Sequence, residues 1–233
     1  MRTIFAVLGA LVLAACGGGG DDSGPPPRVD VYVKDAVDRL YNPRTTIPVK
    51  GVVNGVTVSA LLTFTDAPGP NSTWWRFNQP SATRYYGSEF VVSGPGGVQT
   101  QRTTLVQHFR IPDALYLGYI GPNGQRVEVS LSPGSAPLLA PVPDDGSSLS
   151  GVYALESVYT SNNSFPSERY RQVWTLARAD ATQAWVCLRT LNEFAQNALV
   201  SEVCGLTTGA GPFRQWRFVI QLPGFGPVTF TSA

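Results

Sequence analysis

The chain has 233 residues, a formal net charge of +1 from 17 basic and 16 acidic side chains, and one histidine. A balance this close to neutral offers no basic excess for nucleic acid or for an anionic membrane surface. Gly (24) and Pro (19) are plentiful, and the aromatic and β-branched residues come in short runs broken by turn residues, an all-β pattern.

Arg2 is the only charge before Cys16, and an apolar run follows it from residue 4 to residue 15. That run is too short to span a bilayer and matches the core of an export signal. It ends in Leu13-Ala14-Ala15-Cys16. The basic start, apolar core, small residues and cysteine together resemble the lipobox of bacterial lipoproteins. The resemblance covers about twenty residues. It implies that 1–15 is a signal peptide and that Cys16 becomes the first mature residue and carries a covalent lipid such as palmitate. Each buried CH₂ is worth about 0.8 kcal/mol and one chain holds only marginally, so stable anchoring takes more than one. Gly17, rather than aspartate, follows the cysteine, which in this class points to the outer membrane, at its periplasmic face or exposed outside. Residues 16–27 then read as a tether. Glycines give flexibility, Asp21 and Asp22 keep it solvated, and Pro25-Pro26-Pro27 extends as polyproline II. Its eleven residues after the cysteine reach at most roughly 36 Å.

Strand signals follow at 29–33, at 73–77 and in three hairpins. In TIPVKGVVNGVTVSALLTFTD (46–66), Asn54-Gly55 separates two β-branched runs, as a type I′ turn requires. A second hairpin spans 89–110 around 94–97, and a third spans 115–132, turning at Pro122-Asn123-Gly124. About eight strands precede Ser132. The segment 133–148 is rich in Pro, Gly, Ser and Asp and reads as a linker between a first β domain (28–132) and a second (149–233). The alternative is a long loop within one large β domain.

The second unit offers six strands: 152–160, 170–178, 184–191, 199–206, 214–222 and 227–231. Short connections make it an antiparallel meander. Its opening, Gly151-Val152-Tyr153-Ala154-Leu155, is similar to the Gly-x-Trp-x-Leu start of lipocalin-like barrels, with Tyr153 in the tryptophan's place; six strands fall short of that family's eight. With Cys16 committed to lipid, Cys187 and Cys204 remain, and an exported protein pairs them as a disulfide. Set opposite each other on antiparallel strands, they bring Arg189 to Glu202, Leu191 to Val200 and Trp185 to Leu206, a consistent cross-strand set. A rival reading makes 192–203 a short helix. The loop closed is about 18 residues and contributes roughly 3 kcal/mol.

The sequence lacks the usual catalytic signatures: no Gly-x-Ser-x-Gly elbow, no His-Glu-x-x-His, and no phosphate-cradling glycine loop. His108 lies in an alternating run, a structural context. Two cysteines and one distant histidine make a poor zinc set, so neither metal nor cofactor is expected. Asp144-Asp145 lacks calcium-loop spacing. Glu89, Glu128, Glu156 and Glu168 are the candidates for a glycosidase-like pair, and nothing in the sequence selects two of them.

The strongest binding signal is NSTWWRFNQPSATRYYGSEF (71–90). Trp74 and Trp75 point to opposite faces of a strand, and with Arg76, Arg84, Tyr85 and Tyr86 they use the vocabulary of interface hot spots; the bland alternative packs both rings. Trp174, Trp185 and Trp216 are expected in the core. The sequence thus predicts a non-enzymatic, membrane-anchored envelope lipoprotein that binds a protein partner or envelope glycan. The alternatives are a small-molecule carrier with an apolar β-domain cavity beneath those tryptophans, and a carboxylate-based hydrolase.

Overall fold

The computed structural model describes residues 28–41, 45–65, 72–76, 79–93, 99–110, 116–120, 126–160, 165–222 and 224–232. The protein is all-β and antiparallel. The first unit holds β1 (Asp30–Val31), a helix α1 (Val33–Tyr41), β2 (Thr46–Val53), β3 (Val56–Thr65), β4 (Ser72–Arg76), β5 (Gln79–Ser93), β6 (Gln99–Arg110), β7 (Tyr116–Ile120) and β8 (Arg126–Pro133). Then come β9 (Ala140–Pro141), β10 (Ser148–Thr160), β11 (Glu168–Arg178), β12 (Ala184–Asn192), β13 (Ala198–Thr207), β14 (Gln215–Leu222) and β15 (Gly226–Thr231).

Thirteen strands form one sheet in the order β3-β2-β15-β14-β13-β12-β11-β10-β8-β7-β6-β5-β4. β3 also pairs with β5, from Ser59 opposite Ser93 to Thr65 opposite Gly87. The order of neighbours therefore returns on itself. Eleven strands have two partners each, β5 has three (β3, β4 and β6), and β4 hangs from β5 alone. The arrangement is barrel-like, with two six-stranded meanders joined at two seams. At one seam β8 pairs with β10 from Val127–Thr160 to Pro133–Ala154. At the other, the last strand meets the first long one, Phe230 opposite Gly51 and Thr231 opposite Lys50. The boundary expected at 133–148 thus falls between two paired strands. That segment contributes β9, which pairs with β1 in a small second sheet.

The hairpin at 54–55 forms as the sequence predicts. Val53 faces Val56 across the turn, and Asn54 and Gly55 both have positive φ, 50° and 78°. Alternation then sorts the long strands whose side chains are described into a packed and an open face. Ile47 and Val49 of β2, Val58 and Ala60 of β3, Val92 of β5, Phe218 and Leu222 of β14, and Val228 and Phe230 of β15 form one buried cluster on the packed face. Phe218 and Phe230 are opposite each other on adjacent strands, and burying each stabilises by about 1.5–3 kcal/mol. Gly51 makes the seam possible: a Cβ there would lie 2.8 Å from the Phe230 ring and 2.8 Å from the Thr229 carbonyl oxygen.

The strand expected at 29–33 shrinks to two residues because Val33 starts α1. Val33, Ala36, Val37 and Leu40 recur at helical spacing, and all four are buried in a second cluster with Trp174, Leu176, Val186 and Leu188. Asp35 in the first turn and Arg39 in the last suit the helix dipole. The helix lies on the packed face against β12 and β13, held by Tyr153 Oη donating to Asp38 Oδ1 at 2.8 Å and by Arg39 stacked 5.1 Å over Phe213.

Candidate functional site

The topology fixes which loops share an end. In an antiparallel meander, hairpins alternate ends. The connections β11–β12 and β13–β14 lie at the end where the chain begins, since a Cβ on Gly209 would sit 2.7 Å from the Asp30 carbonyl oxygen. Helix α1 and the small β1–β9 sheet occupy this end, the tether end if residues 16–27 form the expected tether. The connections β2–β3, β10–β11, β12–β13 and β14–β15 lie at the opposite, far end. Three of them carry an exposed phenylalanine: Phe165 (83 % exposed), Phe194 (56 %) and Phe225 (56 %).

Just inside the far end, the packed face changes character. Glu168 opens β11, and Tyr170 and Gln172 follow on the same face by alternation. Glu156 of β10 stands opposite Tyr170, and Tyr119 of β7 belongs to the same face through its pairing with buried Val127 of β8. Tyr170 Oη donates to Glu168 Oε2, and Gln172 Nε2 donates to Glu156 Oε1 at 2.6 Å. Burial first, then the hydroxyl's bond to Glu168, pushes the Tyr170 phenol well above its ordinary range. Burial first, then the charges of Glu168 and Glu156, raises Tyr119. Both carboxylates therefore lie within electrostatic reach of one ring. Gln172 is 5 % exposed, and its Oε1 is buried with no hydrogen-bond partner. Val127, Val129 and Val158 floor the cluster, with Tyr119 and Tyr170 packed against them.

The structure thus brings together two of the four glutamates named from the sequence. Glu89 and Glu128 fall on the other face by register, opposite Thr63 and Gly118 respectively. Each of the two carboxylates accepts a hydrogen bond from a neighbour in the cluster.

The open face holds the disulfide. Cys187 and Cys204 are bonded and directly opposite each other. Arg189 faces Glu202 and Trp185 faces Leu206, in the predicted register. A bulge between Thr190 and Leu191 then slips the ladder, so Leu191 meets Leu199 instead of Val200. The rival helix at 192–203 is reduced to one 3-10 turn at Glu193–Ala195, capped by the Asn192 side chain. Glu202 is buried, with Arg189 Nε at 2.5 Å and an Arg217 guanidinium nitrogen at 3.2 Å. Arg217 also stacks 5.0 Å over Trp185. Trp185, expected in the core, therefore faces outward under an arginine, whereas Trp174 is buried against α1 and Trp216 packs between Phe213 and Phe218. Cys187, Glu202 and Cys204 have ligand atoms within 4.8 Å of one another. With the sulfurs bonded to each other and Arg217 beside them, the group is an ion-pair network around a disulfide.

Lys50, Arg171, Arg189 and Arg217 lie on the open face, opposite to the buried residues of their strands. A lipid-facing wall would be apolar outside and polar within; here the apolar face is inward. Among the described residues no helix is long and apolar enough to cross a membrane.

Asp144 pairs with Arg178, and Asp145 caps the Ser147 amide at 2.9 Å, so both are tied into the connection between β9 and β10. Cys16 and the tether lie outside the described residues. Of the aromatic–arginine segment, only the backbone is described. Trp74 and Trp75 pair with Ser81 and Pro80, while Arg84, Tyr85 and Tyr86 of β5 pair with Phe109, His108 and Gln107 of β6. Arg76 ends β4 opposite Gln79. The far-end cluster was not singled out from the sequence. Its one signal was Glu168-Tyr170-Gln172 at period two on a strand whose next same-face residues, Trp174 and Leu176, are apolar. Comparison with protein-family models, curated proteins and solved structures finds no match to this chain.

Proposed function

We propose that this protein is a lipid-anchored envelope module that binds without catalysis, and that it receives its ligand at the far end of the barrel-like sheet. The observation that carries this reading is the polarity of the molecule along its own axis. The chain enters at the end plugged by α1, so the lipid on Cys16 would hold that end toward the membrane. The opposite end carries the polar cluster of Glu156, Glu168, Tyr119, Tyr170 and Gln172, and the connections at that end expose Phe165, Phe194 and Phe225. Sheet-based domains commonly take ligands at such an end. A protein partner or an envelope glycan both remain within this reading, and the 71–90 segment is a second candidate surface for either. The carrier reading is less well supported, because the space beneath Trp174 is filled by α1.

The test is site-specific photocrosslinking in cells. A photoreactive residue at 165 or 194 should capture an envelope component. The same probe at 138 or 139, exposed at the tether end, should capture none or a different one. Adducts confined to 138 and 139 would overturn the reading.

A further inference from the structure

We infer that the outer face of the small β1–β9 sheet, Tyr32 with Leu138 and Leu139, rests on the lipid surface of the membrane that holds the anchor, where headgroups meet acyl chains. The inference rests on the reading of Cys16 as lipidated. It adds a second contact to that reading, in which the folded body touches the bilayer as well as the tether.

Alternation sorts the small sheet into two faces as it does the large one. Val29, Val31 and Val33 are buried, and so are Ala140 and Val142. Asp30 pairs with Pro141 and Val31 with Ala140. The same offset continues on both sides, from Val142 N donating to the Val29 carbonyl at 2.9 Å to Lys34 N donating to the Pro137 carbonyl at 3.1 Å. It therefore sets Tyr32 beside Leu139 on the outer face. Tyr32 is 41 % exposed, Leu139 47 % and Leu138 65 %. The two leucines belong to Ala-Pro-Leu-Leu-Ala-Pro-Val-Pro (136–143), a stretch with no charged side chain and three prolines. Proline has no N–H, so this stretch carries fewer donors to be stranded in a layer poor in water. Tyrosine suits the same depth, with an apolar ring and a polar tip.

The start of the chain says what covers this face. Arg28 leads into β1, and only eleven residues, reaching at most roughly 36 Å, separate it from Cys16. A lipid on Cys16 keeps the Tyr32–Leu139 face within one tether length of a bilayer, at an effective concentration that a freely diffusing partner lacks. The cations nearest in sequence are compensated: Arg28 pairs with Asp30 at 2.9 Å and Lys34 with Asp38 at 2.7 Å. Three side chains are too few to hold an unlipidated protein on a membrane. The tether supplies proximity, and the apolar face supplies orientation, with the far end turned away from the lipid.

The experiment uses the full chain as acylated in cells, with benzoylphenylalanine in place of Tyr32. The protein is reconstituted into vesicles of phosphatidylethanolamine and phosphatidylglycerol, irradiated and read by mass spectrometry. Acyl-chain adducts should form from position 32, and the same probe at 165 should form none. Leu138→Ser combined with Leu139→Ser should cut the yield at 32 about tenfold, as loss of two partly buried apolar side chains would. Val52→Ser, exposed at the far end, should leave the yield unchanged. Thermal melts confirm folding, and Leu139→Ser alone serves if the double variant does not fold. Absence of acyl adducts from 32 on protein whose mass includes the lipid overturns the inference and leaves the anchor reading standing. A yield indifferent to the leucines also overturns it, since proximity alone then accounts for the adduct. Adducts between two copies of the chain in place of lipid overturn it in favour of self-association. Failure of the anchor reading shows separately, as a mass with no lipid on Cys16.

Discussion

Tyr153 and Asp38 are 115 positions apart in sequence, yet the tyrosine hydroxyl donates to the aspartate at 2.8 Å. This bond ties α1, made by the first unit, to β10, the first strand of the second. Tyr153→Phe removes it without changing the ring's volume. A hydrogen bond to a charged acceptor is worth about 1.5–3 kcal/mol, so the melting temperature should fall by roughly 3–12 °C at about 2–4 °C per kcal/mol. Amide exchange should accelerate in residues 33–41 before it does in β12. A variant that melts with the parent would show that apolar packing alone holds the helix.

Alkaline stability carries the same signature. Burial first, then the bonded aspartate, pushes the Tyr153 phenol far above its ordinary value of 10.0. Tyr170 and Tyr119 are raised as well, again by burial first. In the unfolded chain these phenols ionise near pH 10. The folded state keeps its protons longer, so the contribution is complete below that pH and is lost as pH climbs through and beyond it. Denaturant midpoints should therefore be flat from pH 8 to 10 and fall steeply above. In Tyr153→Phe the fall should be shallower. An equal slope in the variant would remove Tyr153 from the account.

Gly51 is the point at which the seam is least forgiving. A side chain there meets both the Phe230 ring and a backbone oxygen, and backbone cannot move aside as a flexible side chain can. Gly51→Val should destabilise by about 1–3 kcal/mol, as overpacking does, and should do so by parting β2 from β15. A disulfide engineered across a neighbouring pair of the same seam should recover part of the loss. Wild-type stability for Gly51→Val would mean that the two strands shift freely.

Cys187→Ala should lower stability by about 3 kcal/mol under oxidising conditions, the chain-entropy value for so short a loop. In dithiothreitol the difference should disappear. An equal deficit in reductant would assign the loss to packing around Arg217 and Trp185.

Cys16→Ser should move the protein from the membrane fraction to the soluble one while leaving its melting curve unchanged. Persistent membrane association would refute lipidation as the anchor.

Local features were legible because each has a local cause. Asn54-Gly55 demands positive φ, and the Cys187–Cys204 register followed from matching charge and apolarity across two strands. All six strands of the second unit appear within a few residues of their expected ends. Helix α1 was missed although Val33, Ala36, Val37 and Leu40 hold its spacing, because Val29, Val31 and Val33 also alternate as a strand would, and nine residues give little periodicity to weigh against that. Trp185 was placed inward on aromatic character alone, when its parity with Cys187 sets it on the open face. The seams were beyond reach in principle. Nothing near Lys50 announces Thr231, and nothing near Ser59 announces Ser93, since such pairings are decided by the whole sheet. The far-end cluster depends on the β8–β10 seam, which sets β7 and β11 on either side of β8 and β10.

The pairing of β2 with β15 has a consequence for the order of events in the cell. On the proposed export route a chain that crosses unfolded emerges from its N-terminus, so β2 would leave the membrane well before β15. Until residues 226–231 arrive, β2 and β14 each present an unpaired edge, the kind of surface on which strands of other chains assemble. On that route maturation would be a race between delivery of β15 and capture of a waiting edge. Loss of only the last few residues would leave that race with no winner.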